Sequence, residues 1–136
     1  MENVSKLSEI NSQSQLQLDD ATIDIINLRL RTFIGFNPDE LTKQQDIVIN
    51  AQIKYPAVDA CQTDEETQAL NYKTITKAMI HHVEDGHFKL LEKLTKDLLE
   101  ICMEHKQVNF AKVTVEKPHA LRFADSVSLT LSASRK

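Results

Sequence analysis

The chain has 136 residues, 41% of them hydrophobic and 26% charged, a size and balance that fit one globular domain with a modest core. A formal net charge of −4 leaves no basic field for nucleic acid or an anionic membrane surface, so any phosphorylated ligand must be met by a local group of cations. No apolar run approaches the roughly 20 residues that span a bilayer, and Cys61 and Cys102 lack paired metal-ligand spacing and follow no secretory segment, which points to a reduced, cytoplasmic protein.

Residues 1–20 are polar, rich in Ser and Gln and without a sustained period, and are expected to form a flexible tail, leaving 21–136 as a single domain. "ATIDIINLRLRTFIG" is β-branched and alternates Leu28, Leu30 and Thr32 against Arg29 and Arg31, as a half-buried strand does, with Gly35 marking its end. A loop built on Asn37 and Pro38 follows. "QDIVINAQIKYP" then alternates strictly, with Ile47, Ile49, Ala51, Ile53 and Tyr55 on one face. After a second loop, "VDACQTDEETQA", Ile75, Ala78, Met79, His82 and Val83 recur at helical spacing behind Asn71, the expected N-cap. "EDGH" separates this helix from another over residues 88–105, and "NFAKVTVEKP" and "FADSVSLTLSAS" read as two more strands around a turn at Pro118. The order ββααββ predicts an α+β layer, four antiparallel strands with two helices on one face. Outward apolar residues such as Val48 predict assembly that covers the other face or closes the sheet edges.

Most chemistry is excluded by spacing. None of His81, His82, His87, His105 and His119 forms an i,i+4 pair around a Glu, so no metal centre is expected. The two glycines stand far apart, which removes a phosphate loop, and Cys102 lies in the apolar arc of its helix, where it packs rather than reacts. What remains are four polar residues at element ends: Glu40, Tyr72, Glu92 and Lys117. Each has an ordinary explanation. Glu92 illustrates this best, since Leu91, Leu94, Leu98 and Cys102 share one helix face and Glu92 falls on its shoulder, where the helix dipole alone would favour an acid.

"LNYKTITK", "LLEKL" and "VEKPHALRFADSVS", in that order, resemble the dihydroneopterin aldolase and epimerase family from about Ile23 to Leu131. The resemblance implies the tunnelling fold (T-fold), in which four ββααββ subunits close a β-barrel and two such rings stack into a homo-octamer, with a dihydropterin substrate and neither cofactor nor metal. It implies Lys117, Tyr72 and Glu40 as catalytic residues, with Tyr72 reaching a neighbouring subunit's pocket, and Glu92, Leu91, Leu70 and Asn71 as substrate-binding residues. "NLRLRTFIG", "QDIVIN" and "HALRFADSVSLTL" look more like the epimerase branch, whose triphosphate substrate needs cations; Arg31, Arg29 and Arg122 are candidates beside Lys73 and Lys77, while His119 contacts phosphate or packs in its turn. The alternatives are the aldolase of folate synthesis and a pterin- or purine-binding protein without catalysis.

Overall fold

The computed structural model describes residues 16–136; residues 1–15, most of the segment read as a tail, lie outside the described residues, and 16–20 carry no regular secondary structure. Strand β1 (Ala21–Ile34) pairs antiparallel with β2 (Gln45–Tyr55), β2 with β4 (Phe110–Lys117), and β4 with β5 (Val127–Ser134). The five-stranded order is β3-β1-β2-β4-β5, where β3 (His87–Phe88) lies parallel to Phe33 and Ile34 of β1. The sheet is therefore mixed, not purely antiparallel as expected, and it has one more strand.

Helices α3 (Tyr72–Glu84) and α4 (Leu91–Met103) pack on one sheet face and against each other. Between the layers lie Ile47, Ile49 and Ile53 of β2, Val113 and Val115 of β4, Ile75 and Met79 of α3, and Leu94 and Leu98 of α4, all essentially inaccessible. These are the positions at which the sequence alternates or recurs. Cys102 is among them; burial pushes its thiol up to about 12, so it packs as a small apolar group with its Sγ 4.0 Å from Met79 Sδ.

A β-bulge interrupts β1. Ile25 pairs with Ala51 and Leu28 with Ile49, so Ile26 and Asn27 together oppose Asn50. Asn27 takes a φ of 55°, a conformation that asparagine tolerates better than most residues, and its N–H donates to Asn50 Oδ1 at 2.9 Å.

Three irregular stretches differ from expectation. The first loop contains helix α1 (Pro38–Thr42) and the second contains α2 (Val58–Thr63) and a 3-10 turn (Glu66–Gln68). Asn37 before Pro38, with acidic Asp39 and Glu40 behind, is helix-start chemistry, but five residues are too few to show a period. The second long helix starts at Leu91 because His87–Phe88 is extended against β1, with the Gly35 N–H donating to Phe88 O at 2.8 Å.

The helix ends are fixed by side chains. Asn71 Oδ1 accepts the Thr74 N–H at 3.1 Å, the expected cap of α3. Buried Thr32 donates its hydroxyl to Val83 O at 2.6 Å, tying the end of that helix to β1. Beyond α4, Arg135 donates to Met103 O, the last carbonyl of that helix, and to His105 O and Val108 O in the segment leading to β4.

The far sheet face is polar around half-buried Val48: it carries Asn50, Gln52, Lys112, Ser132 and the bonded hydroxyls of Thr114 and Thr130, 2.7 Å apart. The outward apolar position noted at Val48 thus sits in a largely polar surface. The sheet edges are another matter. Among the described residues β5 pairs on one side only, and β1 has a second partner only at Phe33 and Ile34.

Candidate active site

Strand order brings three chain segments to one end of the sheet: the end of β1, the start of β2 and the end of β4. Chain direction reverses from β1 to β2 through Gly35 and α1, and this places Glu40 over Gly35. Gly35 has φ +124°, and a Cβ there would land on the Glu40 carboxylate. Gly35→Ala is therefore expected to cost about 1–3 kcal/mol in backbone strain alone, measured by denaturant unfolding, and to push Glu40 from its place.

Glu40 is held by three donors. Its Oε1 accepts the Asn37 N–H at 3.3 Å; its Oε2 accepts Lys117 Nζ at 2.8 Å and Gln45 Nε2 at 3.0 Å. The side chains of Lys117 and Glu40 are 12% and 20% exposed, so the pair is largely withdrawn from water. The Lys117 hydrogen bond brings the Glu40 carboxyl down to about 2; burial opposes this, and Gln45 and the Asn37 N–H reinforce it. The sign follows directly: this ionised carboxylate supports the fold above the usual carboxylate range, and that support is lost as the pH falls toward 2.

A cavity of about 300 Å³ opens beside this pair, lined by Gly35, Glu40, Leu91, Glu92, Lys117 and Ala120 among others. Glu92, in the first turn of α4, is exposed and makes no hydrogen bond or ion pair among the described residues. One cavity thus holds a neutralised carboxylate–ammonium pair and a carboxylate without a partner. It can accept a ligand's paired donors at Glu92 and offer an ammonium proton from Lys117.

Of the residues expected from the sequence, Glu40, Lys117, Glu92 and Leu91 come together here. Leu70, Asn71 and Tyr72 do not line the cavity within one chain. Leu70 is a core residue, 2% exposed, and Asn71 caps α3, so within their own chain both hold the start of that helix. Tyr72, its first residue, is 49% exposed.

The candidate cations are dispersed. Arg29 and Arg31 line a larger cavity of about 690 Å³, with Asp46, Glu84 and Pro118, that reaches the turn following Lys117. Arg31 is engaged there with Asp46 at 3.6 Å and Gln44 O at 3.2 Å. Arg122 lies over the exposed Phe123 ring, 5.5 Å from its centroid, and His119 is exposed in its turn, so neither joins the arginine pair. Lys73 and Lys77 are exposed on α3.

Two residues of the site escape sequence reasoning. Gly35 was legible only as a strand end, although a glycine in so glycine-poor a chain is a signal for a required conformation. Gln45 carried no signal beyond being a polar residue at the start of a strand.

Residues 23–132 match the family model described as dihydroneopterin aldolase. The chain is 56% identical over 115 residues to the Escherichia coli K12 protein named dihydroneopterin triphosphate 2'-epimerase, covering 85% of this chain and 96% of that one. Identity to the Pseudomonas aeruginosa protein of the same name is 52% over 115 residues, covering 85% and 94%. The solved structure of E. coli dihydroneopterin aldolase in complex with neopterin matches with a TM-score of 0.79 at 23% identity, covering 84% of this chain and 99% of that chain. The α+β tunnelling fold expected from the sequence is the fold observed.

Proposed function

The chain belongs to the dihydroneopterin aldolase family, and from that premise we propose that it inverts C2' of 7,8-dihydroneopterin triphosphate, giving 7,8-dihydromonapterin triphosphate. The observation that carries this reading is the 52–56% identity to proteins named for that epimerase, against 24% to the E. coli aldolase.

Glu92 accepts the ring N–H and exocyclic amine that a pterin presents side by side, and Leu91 flanks the ring. Breaking the C1'–C2' bond sends its electron pair into the C6=N5 imine, so the dihydropterin itself is the electron sink. The 2'-hydroxyl loses its proton as C2' becomes an aldehyde carbon, and N5 gains one. Lys117, held against Glu40 at 2.8 Å, supplies the N5 proton and takes it back on re-addition. Tyr72, exposed in its own chain, reaches the cavity of a neighbouring copy and holds the 2'-hydroxyl proton. If the aldehyde turns over before re-adding, C2' is inverted; if it leaves, the outcome is the aldolase reaction. Arg29 and Arg31 are the cations that best suit the triphosphate, because their cavity reaches the Lys117–Pro118 segment.

The assembly in this reading is a homo-octamer of two stacked tetrameric rings, each closed edge to edge. The open edges of β1 and β5 support it, since such edges are templates for pairing. A reducing cytoplasmic setting suits the free cysteines Cys61 and Cys102. No cofactor is required, because the imine already accepts the electrons.

Incubating the protein with dihydroneopterin and with its triphosphate, and resolving the products by chromatography, tests the proposal. Epimerised triphosphate should dominate. Hydroxymethyl-dihydropterin as the main product from both substrates would make the protein an aldolase, and binding without turnover would make it a non-catalytic binder.

A further inference from the structure

Gln45, the first residue of β2, spends its side-chain Nε2 at the Glu40–Lys117 pair. It donates to Ile34 O at 2.5 Å and to Glu40 Oε2 at 3.0 Å, so the amide is clamped between the end of β1 and the carboxylate. Gln45 itself is half-buried, and Thr32, its partner across the β1–β2 ladder, is fully buried, which fixes the backbone from which the amide reaches. The same Oε2 accepts Lys117 Nζ, while Oε1 faces the Asn37 N–H. A carboxylate on a five-residue helix would otherwise be free to swing and to draw the lysine with it.

We propose that Gln45 is a positioning residue for the proton transfer: by occupying the second acceptor site of Glu40 Oε2 it aims that oxygen at Lys117 Nζ and holds the ammonium in one place at the cavity wall. This rests on the role proposed above for Lys117. Gln45 does not line the cavity, so it acts through Glu40 and not on substrate. The other charged groups around the pair are Asp39 on α1, Lys89 and Glu92 from the segment entering α4, and Glu116 and His119 flanking Lys117; Asp46, next to Gln45, is turned to Arg31. None of these makes a hydrogen bond or ion pair with Glu40 or Lys117 among the described residues, whereas Gln45 does.

Two substitutions separate positioning from simple support of the fold. Gln45→Leu keeps the bulk and removes the donor. It should lower kcat about tenfold with KM within about twofold. Without that donor the Glu40 carboxylate is less stabilised, so its ¹³Cδ titration should move up from about 2. Gln45→Glu sets two carboxylates against one ammonium. At neutral pH its kcat should fall as far as that of Gln45→Leu, but as the pH drops the carboxylate pair takes up a proton and regains a donor toward Glu40. The ratio of its kcat to the parent's should therefore climb toward one below about pH 6.

A ratio that stays flat with pH, a loss that falls on KM, or a loss that only tracks a lowered Tm would each overturn the proposal. An unmoved Glu40 titration in Gln45→Leu would overturn it as well, and that measurement needs no turnover. If the parent protein fails to epimerise the triphosphate, the function proposed for the site is wrong, while the titration still decides whether Gln45 holds the Glu40 carboxylate.

Discussion

Lys117→Ala should abolish epimerisation, lowering kcat by about 10²–10⁴-fold, the range that a positioned proton donor contributes. Lys117 bonds Glu40 and not Glu92, so the residues that would grip the pterin ring keep their places in the variant. Equilibrium binding of dihydroneopterin, followed by fluorescence or calorimetry, should change by no more than about threefold. The cost to the fold is separate. Glu40 loses the partner chiefly responsible for its depressed pKa, so the variant should lose less stability than the parent as the pH falls through the carboxylate range. Residual turnover within about tenfold of the parent would assign the proton to another group.

Glu92→Ala should have the opposite signature. Two charge-assisted hydrogen bonds to the pterin, each roughly 1.5–3 kcal/mol, disappear together, so affinity should fall at least a hundredfold, on the order of 3 kcal/mol. Stability should hardly move, within about 0.5 kcal/mol, because Glu92 is exposed and bonds nothing among the described residues. Isothermal titration with dihydroneopterin reads the first effect and thermal unfolding the second. Unchanged affinity would remove Glu92 from the binding site. Together the two variants separate chemistry from recognition at two residues of one cavity.

Much of this site was legible because its residues sit where strong patterns end. Lys117 closes an alternating strand and Glu92 opens a periodic helix, so the topology that brings those ends together follows from the order of elements. The family resemblance, placed from about Ile23 to Leu131, implied roles for them, and the matched span is 23–132. What stayed hidden depends on short-range backbone geometry. Helix α1, five residues long, folds Glu40 back over Gly35, and no periodicity can be seen in so short a segment. β3 is two residues long and is defined only by its neighbour β1. Leu70, expected among the substrate-binding residues, is buried in its own chain, and an apolar residue beside a polar one reads the same in sequence whether it faces a pocket or the interior. The dispersal of the cations was equally invisible, since a sequence shows charges but not which of them converge.

The extra residue at Asn27 reverses the parity of β1. Before it, odd positions such as Ile23 and Ile25 face the core and even ones such as Asp24 face out; after it, Leu28, Leu30 and Thr32 turn inward and Arg29 and Arg31 outward. Were the same residues paired without the bulge, both guanidinium groups would turn into the helix layer or Ile23 and Ile25 into water, whereas deleting one of Ile26 and Asn27 would leave a regular strand with every inward residue still inward. One strand therefore has two opposite rules for which substitutions it tolerates, and the arginines reach their cavity only because the rule changes partway along it.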